Sequence, residues 1–399
     1  MKWVVSRNPV LPAAVLFAAL ALSACAVRPQ FAAGVACATG RVTVSDDFAG
    51  ARRGSCTVRS ASRVELEIRP ENSPPINDSP WYAFRLKSDK PTTLRVTMKY
   101  VDGHHRYWPK LSFDGKEWSP LAADKVRTNR AGTAAHLTIR LDEQPVFIAA
   151  QELILPTAFD EWRNEQVRLG HVSQSILGHS VNGRPIHRLD TGSAHKDVLL
   201  IVGRQHPPEV SGSVAFQAFA ATLFDDSDLA ARFRDRFRVI GVPFLNPDGV
   251  IDGHWRHNLG GVDLNRDWGP FTQPETRLIE DLLAELDAAD ASIRVFLDFH
   301  STQRNVFYTQ NDDFVTDPPG FTPQWLANAA ARVQNYEFVN QPGPVGEQAN
   351  SKNYMYKRYG IPTATFEIGD ETDREATRDA ARIFAEELMK LMLQQDYGK

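Results

Sequence analysis

The sequence has few cysteines and no run of basic residues. Its 399 residues include only 3 cysteines, and 45 Lys and Arg face 49 Asp and Glu, for a formal net charge of −4 at pH 7. A mildly acidic chain without a basic run argues against nucleic acid as the main partner. There is also no internal repeat and no low-complexity segment, and the length suggests two or three domains.

The first 24 residues have the features of a bacterial lipoprotein signal peptide. A positive start, an apolar run over residues 10–22 and the sequence Leu-Ser-Ala-Cys at 22–25 follow the pattern of the lipoprotein cleavage box. The apolar run is too short for a comfortable transmembrane helix. We therefore expect a lipidated Cys25 that anchors the protein in the bacterial cell envelope, facing the periplasm, and Ala26 implies the outer membrane. A plain secretory signal cut nearby is the alternative.

The other two cysteines, Cys37 and Cys56, form an even pair in what would be an oxidising compartment. A disulfide between them would close a modest loop and contribute about 3 kcal/mol. Two unpaired thiols remain the alternative. Neither cysteine lies near other residues with chemistry to offer.

A short tether over residues 25–40 is followed by two segments whose sequence patterns predict different secondary structure. Residues 41–155 alternate apolar and polar side chains between Gly, Pro, Asn and Asp, which is typical of an antiparallel β-sandwich. The clearest predicted strands are Arg41–Val44, Val64–Ile68, Thr93–Met98 and His136–Leu141.

From Pro156 to Lys399 predicted helices alternate with predicted strands, which indicates a mixed α/β domain with helices on both faces of its sheet. The predicted strands are Val198–Val202, Phe237–Leu245, Ile293–Phe299 and Ala364–Ile368. The predicted helices are Phe159–Leu169, Val210–Phe224, Pro274–Ala288, Thr322–Asn335 and a last one that opens with a capping box at Thr372 and Glu375.

His206 and Glu209 lie on the turn that follows the apolar strand Val198–Val202, where open α/β sheets bind their ligands. An imidazole and a carboxylate three residues apart can hold one metal ion, and Pro207 and Pro208 stiffen the turn. The pair is a weak signal alone, because a surface histidine beside a solvated glutamate has the same spacing.

Two later strands strengthen the metal interpretation. The strand that ends at Phe299 is followed by His300, which supplies the third ligand of a His-Glu-His zinc site with a fourth position left for water. Glu367 lies inside an apolar strand, where a lone carboxylate needs a partner or a task. A structural histidine and an edge-strand glutamate facing water are the alternatives.

His206, Glu209, His300 and Glu367, taken together with three further stretches, form a pattern that resembles that of the zinc metallocarboxypeptidases related to pancreatic carboxypeptidase. The pattern covers roughly residues 160–395 in that family's order, and the added stretches are Asn246–Gly249, Trp255-Arg256 and Gly261–Arg266. Ile76–Arg85 resembles the β-sandwich that precedes the catalytic domain in cytosolic carboxypeptidases, the deglutamylase branch.

The resemblance implies one Zn²⁺ ion held by His206, Glu209 and His300. Asp263 would hydrogen-bond the first ligand histidine and fix its tautomer. Glu367 would be the general base that takes a proton from water and returns it to the leaving amine.

The resemblance also implies a substrate site. Asn265 and Arg266 would bind the terminal carboxylate of a peptide, and Arg256 would stabilise the oxyanion. Surface ion pairs are the alternative for the two arginines.

Two departures from the family pattern stand out. Pro208 precedes the ligand glutamate where the pancreatic enzymes have an arginine, and residues 342–347, where their mobile tyrosine would lie, contain no tyrosine.

Lys352 aligns with the residue at the base of the specificity pocket of the pancreatic enzymes. Together with Arg304 it would favour an acidic side chain, unless both are simply solvated.

The sequence therefore predicts a lipid-anchored zinc carboxypeptidase that removes a C-terminal residue, favouring an acidic one, from peptides or cell-wall stem peptides. A zinc deacylase or amidohydrolase acting on N-acyl amino acids or cell-wall peptides is the first alternative. A binding lipoprotein that kept the fold without activity is the second.

Overall fold

The computed structural model describes Met1 and residues 36–192 and 194–397. The predicted signal peptide, Cys25 and most of the predicted tether lie outside the described residues. The end of that tether is described, and there Cys37–Thr39 form a strand rather than a linker. Within the described part of the chain, no helix is both long and apolar enough to cross a membrane.

Residues 37–149 form two β-sheets packed face to face, as the alternating pattern predicts. The strands are β1 (Cys37–Thr39), β2 (Val42–Ser45), β3 (Ser55–Ser60), β4 (Arg63–Ile68), β5 (Ala83–Ser88), β6 (Thr92–Tyr100), β7 (Lys110–Ser112), β8 (Ser119–Pro120), β9 (Val126–Thr128), β10 (Ala134–Leu141) and β11 (Val146–Ala149). One sheet has the order β1-β2-β5-β11-β7-β8 and the other β3-β4-β6-β10-β9. A short 3-10 helix, Ala123–Lys125, precedes β9.

Strands β4 and β6 run parallel, whereas their neighbours in the two sheets pair antiparallel. After β4 the chain passes to β5 in the other sheet and then returns to β6. Each of these two crossings reverses the direction of the chain, so β6 runs in the same direction as β4. Cys37 of one sheet and Cys56 of the other are joined by a disulfide, which confirms the predicted pairing.

The rest of the chain forms an α/β domain around a mixed sheet of eight strands, which confirms the predicted fold class. Its strands are β12 (Ser173–His179), β13 (Pro185–Asp190), β14 (Asp197–Gly203), β15 (Arg238–Val242), β16 (Ser292–Thr302), β17 (Val306–Gln310), β18 (Val339–Gly343) and β19 (Thr363–Gly369). They lie in the order β12-β13-β15-β14-β16-β19-β17-β18. The central strands β15, β14, β16 and β19 run parallel, so their carboxyl ends meet at one edge.

Helices cover both faces of this sheet. They are α1 (Pro156–Arg168), α2 (Val210–Phe224), α3 (Asp228–Arg234), α4 (Pro247–Ile251), α5 (Pro274–Ala288), α6 (Phe321–Ala330), α7 (Ser351–Tyr359) and α8 (Arg374–Gln394), with a 3-10 helix at Leu264–Arg266. Apolar side chains of α2, α6 and α8 pack on one face, and those of α5 and α7 pack on the other.

The structure differs from the sequence prediction in several elements. The cap of α8 is Asp373, whose carboxylate accepts from the amides of Glu375 and Ala376, rather than Thr372. Helix α6 ends five residues earlier than predicted, at Ala330. Strands β12, β13, β17 and β18 were not predicted, because each is partly exposed and rich in polar residues.

Candidate metal and active site

The turn between β14 and α2 carries the first two candidate metal ligands. Arg204 begins the turn with a φ of 52° and is buried. Its Nε donates to the carbonyl of Pro207 at 3.0 Å, and its Nη1 donates to Ser213 at 2.7 Å. These bonds tie both sides of the turn together and fix His206 and Glu209 at the carboxyl edge of the sheet.

The third candidate, His300, lies on the neighbouring strand β16. Helix α2 approaches this strand closely at Gly212, where an added Cβ would lie 2.6 Å from the carbonyl oxygen of His300. The amide of Gly212 also donates to the Ser301 hydroxyl at 2.8 Å. A glycine is therefore required at 212 for α2, which follows the turn that carries His206 and Glu209, to lie this close to β16.

The side chains of His206, Glu209 and His300 converge on one point. Their ligand atoms all lie within 4.8 Å of one another, and all three residues are buried. The two Nδ1 atoms lie 3.2 Å apart, and each lies 2.7 Å from a carboxylate oxygen of Glu209. Burial alone would raise the pKa of Glu209, but the two imidazoles hold that pKa well below its usual value.

Each imidazole is held from behind by a second carboxylate. Asp263 Oδ1 lies 2.9 Å from Nε2 of His206, as the resemblance implies, and Asp298 Oδ2 lies 2.8 Å from Nε2 of His300. Asp298 was missed in the sequence. Burial alone would lower the pKa of His300. The negative charges of Asp298 and Glu209 outweigh burial and raise that pKa well above its usual value.

This donor set fits a catalytic zinc ion. Two imidazole nitrogens and one carboxylate, with a fourth position open, are the usual protein ligands of such an ion, and outer carboxylates orient the histidines. Oε2 of Glu367 is shielded from solvent and has no hydrogen-bond partner among the described residues. A buried acceptor left open beside the ligands is suited to water in the fourth position.

Glu367 lies on β19 directly across from His300 on β16. It lines the same cavity as the three candidate ligands. Burial and the negative charge of Glu209 raise the pKa of Glu367 to about 8. The carboxylate that the sequence placed inside an apolar strand is therefore next to the metal site, and its proton affinity suits proton transfer near neutral pH.

The cavity has a volume of about 510 Å³, and Arg256, Asn265, Arg266 and Lys352 all line it. Arg256 is buried and donates from Nε to Oδ2 of Asp263 at 2.6 Å. Its two terminal nitrogens form no hydrogen bond with other described residues, so they are free to act on a bound molecule.

Asn265 and Arg266 are positioned by the 3-10 helix at Leu264–Arg266. Asn265 accepts the amide of Ser351 at 2.9 Å, and its Nδ2 lies 3.2 Å from Nε2 of His300. Arg266 donates from Nη1 to the carbonyl of Asn265 at 2.6 Å. With the Gln348 amide turned to accept, its oxygen lies 2.9 Å from Nε of Arg266. The guanidinium is thus fixed at the cavity wall.

Lys352 is buried at the cavity wall with 7% of its surface exposed. Its ammonium group has no hydrogen bond or ion pair with any described residue, and burial lowers the pKa of Lys352. An ammonium in such a place lacks the counter-charge that buried cations usually have.

Arg304, the other basic residue predicted to bind substrate, does not line this cavity. It is exposed after the end of β16 and donates from Nη2 to Oε1 of Gln341 at 2.8 Å. Tyr308 does line the cavity, although the sequence gave no reason to select it. Burial and the nearby charge of Glu367 raise the pKa of Tyr308.

Comparison with known proteins agrees with this geometry. The sequence profile of the zinc carboxypeptidase family, peptidase M14, matches residues 168–383, which include all three metal ligands and Glu367. The chain belongs to the zinc carboxypeptidase family. This membership confirms the resemblance found in the sequence, and it identifies zinc as the metal that suits the His-Glu-His site.

Relatives of this zinc carboxypeptidase are found among bacterial and animal proteins. The uncharacterized protein ZMO1242 of Zymomonas mobilis is 27% identical over 239 residues, which cover 57% of this chain and 60% of that protein. Cytosolic carboxypeptidase 2 of Xenopus tropicalis is 34% identical over 153 residues, covering 35% of this chain and 15% of that protein. The chain thus matches less than two thirds of the length of these curated relatives.

The fold has a solved counterpart in a metallo-carboxypeptidase from Burkholderia cenocepacia. That structure superposes with a TM-score of 0.73 at 19% identity and covers 88% of this chain and 98% of its own. A coverage of this size is larger than the α/β domain alone, so the likeness of fold extends into the β-sandwich.

Proposed function

We propose that this zinc carboxypeptidase removes one residue from the C-terminus of peptides and prefers an acidic residue there. The observation that supports this proposal is the unpaired ammonium of Lys352 in the same cavity as the metal ligands, Glu367 and Arg266. A cavity that gathers these groups offers charges for two carboxylates, one at the chain end and one on the side chain.

The terminal carboxylate of the peptide binds Arg266, with Asn265 beside it. A planar guanidinium offers paired donors to a carboxylate, and its contacts with the Asn265 carbonyl and Gln348 hold it in one orientation. This anchoring places the last peptide bond, rather than an internal one, next to His206, Glu209 and His300.

Hydrolysis requires proton transfer, and Glu367 performs it. A zinc ion held by the three ligands supplies Lewis acidity toward the peptide carbonyl and toward water. Glu367 accepts a proton from the attacking water, whose oxygen bonds to the carbonyl carbon. The same carboxyl then gives the proton to the amine nitrogen as the C–N bond breaks. Because a raised pKa matches both roles near neutral pH, burial of Glu367 favours this cycle.

Arg256 stabilises the negative charge that develops on the carbonyl oxygen. Its Nε is bound to Asp263, which leaves the terminal nitrogens to donate into the cavity. Donors fixed before the reaction stabilise an oxyanion at little reorganisation cost.

Lys352 selects the side chain of the residue that is removed. Its buried ammonium is stabilised by a carboxylate and is left unpaired by an apolar side chain, whereas a cationic side chain is repelled. Arg304 contributes no direct contact in this proposal, because it lies outside the cavity wall.

Matched peptides ending in Glu, Leu and Lys test the proposal. The highest kcat/KM is expected for Glu and the lowest for Lys, with release of one residue at a time. A peptide with an amidated C-terminus is expected to be a poor substrate. A preference for Lys would contradict the assignment of Lys352, and faster release of an acyl group from an N-acyl amino acid would favour a deacylase instead.

We also propose that the protein acts in the bacterial cell envelope as a lipid-anchored enzyme. The Cys37–Cys56 disulfide supports an oxidising compartment outside the cytoplasm. Fractionation of cells producing the full chain or its Cys25→Ala variant tests this. The full chain is expected in the membrane fraction and the variant in the soluble one, and equal partition of both would contradict the anchor.

A further inference from the structure

The loop Gly253–His257 of the α/β domain connects the cavity with the β-sandwich. Arg256 points from this loop toward Asp263 and the cavity, as described above. On its other side the loop lies against the sandwich, and an added Cβ at Gly253 would lie 2.9 Å from Cβ of Arg52. The backbone that carries Arg256 therefore has the sandwich as its support.

Glu71 of the sandwich binds three consecutive amides of this loop. Its Oε2 accepts from the amide of Trp255 at 2.6 Å, and its Oε1 accepts from the amides of Arg256 at 2.9 Å and His257 at 2.8 Å. Oε1 also lies 2.9 Å from Nδ1 of His257. The side chain of Glu71 is 7% exposed, so these bonds are shielded from water.

The charge of Glu71 is maintained in this setting. Burial alone would raise the pKa of Glu71, but its bonds to His257 and the loop amides hold that pKa well below its usual value. A buried carboxylate that accepts several backbone amides is a strong and directional contact. The loop conformation is thus fixed by a group that belongs to the other domain.

Trp255 anchors the loop a second time. Its side chain is buried in the hydrophobic core of the sandwich, although the residue belongs to the α/β domain. It packs over Gly103, where an added Cβ would lie 2.8 Å from the indole ring. Arg256 therefore follows a residue that is anchored in the sandwich, and its own amide is one of the three that Glu71 binds.

We propose that the β-sandwich sets the position of the oxyanion-binding Arg256, with Glu71 as the positioning residue. The inference rests on the role proposed above for Arg256. Among the described residues, the guanidinium has one hydrogen-bond partner, Asp263, so its aim depends on where the backbone of the loop lies. A small shift of a catalytic group is enough to slow a reaction strongly.

A double-mutant cycle of Glu71→Gln and Arg256→Ala tests this inference in the full chain loaded with zinc. Arg256→Ala is expected to lower kcat by about 10²–10³-fold, as loss of an oxyanion donor does. Glu71→Gln is expected to lower kcat by about tenfold to hundredfold through misplacement of that donor, with little change in KM. In the Arg256→Ala background, Glu71→Gln is expected to have almost no further effect on kcat.

Two readouts separate positioning from a general structural role. Binding of a phosphonate that mimics the tetrahedral intermediate is expected to weaken in Glu71→Gln by the same factor as kcat/KM, with zinc content and product binding unchanged. Glu152→Gln is the matched control, because Glu152, in the segment that joins the two domains, also forms an ion pair, with Arg374 at 2.9 Å, but does not touch the loop. Its kcat is expected to stay at the wild-type value.

Gly103→Ala is a second variant that displaces Trp255 without changing Glu71, and its added Cβ would also lie 2.8 Å from Oδ1 of Asp78. It is expected to lower kcat in the wild type and not in the Arg256→Ala background, and it decides the question if Glu71→Gln does not fold. Equal losses in both backgrounds, or a normal kcat in Glu71→Gln, would overturn the inference alone. A normal kcat in Arg256→Ala would instead overturn the proposed role of Arg256, and the two failures are thereby distinguished.

Discussion

Asp298 Oδ2 lies 2.8 Å from Nε2 of His300, on the opposite side of the ring from Nδ1, which faces Glu209. Asp263 has the same relation to His206 at 2.9 Å. Two carboxylates on different elements therefore turn both imidazoles so that Nδ1 faces the metal position. The site is symmetric in its support, although only one of the two carboxylates was predicted from the sequence.

Replacement of Asp298 by Asn is expected to weaken zinc binding by about 10–100-fold, because His300 loses the acceptor that fixes its tautomer. Competition with a chromogenic chelator measures the affinity. Glu285→Gln is a suitable control, since Glu285 forms a surface pair with Arg188 away from the site. An unchanged zinc affinity in Asp298→Asn would contradict the supporting role of Asp298.

The preference for an acidic residue is expected to depend on pH through Lys352. Burial lowers the pKa of Lys352 below its usual 10.5, so its charge is lost at a lower pH than that of an exposed lysine. The ratio of kcat/KM for peptides ending in Glu and Leu should therefore fall with a midpoint below pH 10.5.

Lys352→Arg serves as the matched control for this prediction. Arginine stays charged over the range, so the ratio should remain flat in this variant. Lys352→Met should abolish the preference at all pH values while zinc content stays the same. A wild-type ratio that does not change with pH would show that another group selects the side chain.

The acid limb of kcat/KM is expected to report Glu367. Burial and the charge of Glu209 raise the pKa of Glu367 to about 8, and a zinc ion beside Glu209 opposes the second contribution, so the midpoint should lie between 4.5 and about 8. Only the deprotonated carboxylate accepts a proton, and kcat/KM should therefore fall as the pH is lowered.

A peptide ending in Leu has no side-chain carboxyl that would itself titrate over this acid range. Zinc content must be measured at each pH, because protonation of the ligand histidines would release the metal. With zinc retained, a kcat/KM that stays constant down to pH 4.5 would contradict a base whose pKa is raised by burial.

The metal ligands could be predicted from the sequence because each follows or lies on an apolar strand. Runs such as Val198–Val202 and Ile293–Phe299 identify parallel strands, and the carboxyl ends of such strands meet at one edge. His206 and His300 had to be neighbours if both strands were central. The alternation along β16 also places Asp298 and His300 on one face of the strand, a signal that could have identified Asp298.

Contacts made across large distances in sequence could not be predicted in this way. Glu71 lies in a stretch of Pro, Asn and Ser that resembles a solvated loop, and nothing local connects it with Arg256, which is 185 residues away. Arg304 was selected because it follows His300 closely. Strand β16 ends at Thr302, however, and Arg304 itself does not line the cavity.

Tyr308 was missed for a different reason. Strand β17 is short, and the mixture of Tyr, Thr and Gln around it gives no clear apolar period. Its position is set by the antiparallel pairing of β17 with β19. In that pairing Val306 lies opposite Glu367, and Tyr308, two residues later, lies opposite Thr365. Only the register of that pairing brings the ring to the cavity.

Zinc content and turnover of Glu367→Gln, measured on the same preparation, test the central claim most directly. Because Glu367 is not a metal ligand, the variant is expected to bind one zinc ion per chain as the wild type does. Because it removes the proton acceptor, kcat is expected to fall by about 10²–10⁴-fold. Near-normal turnover with zinc bound would contradict the account.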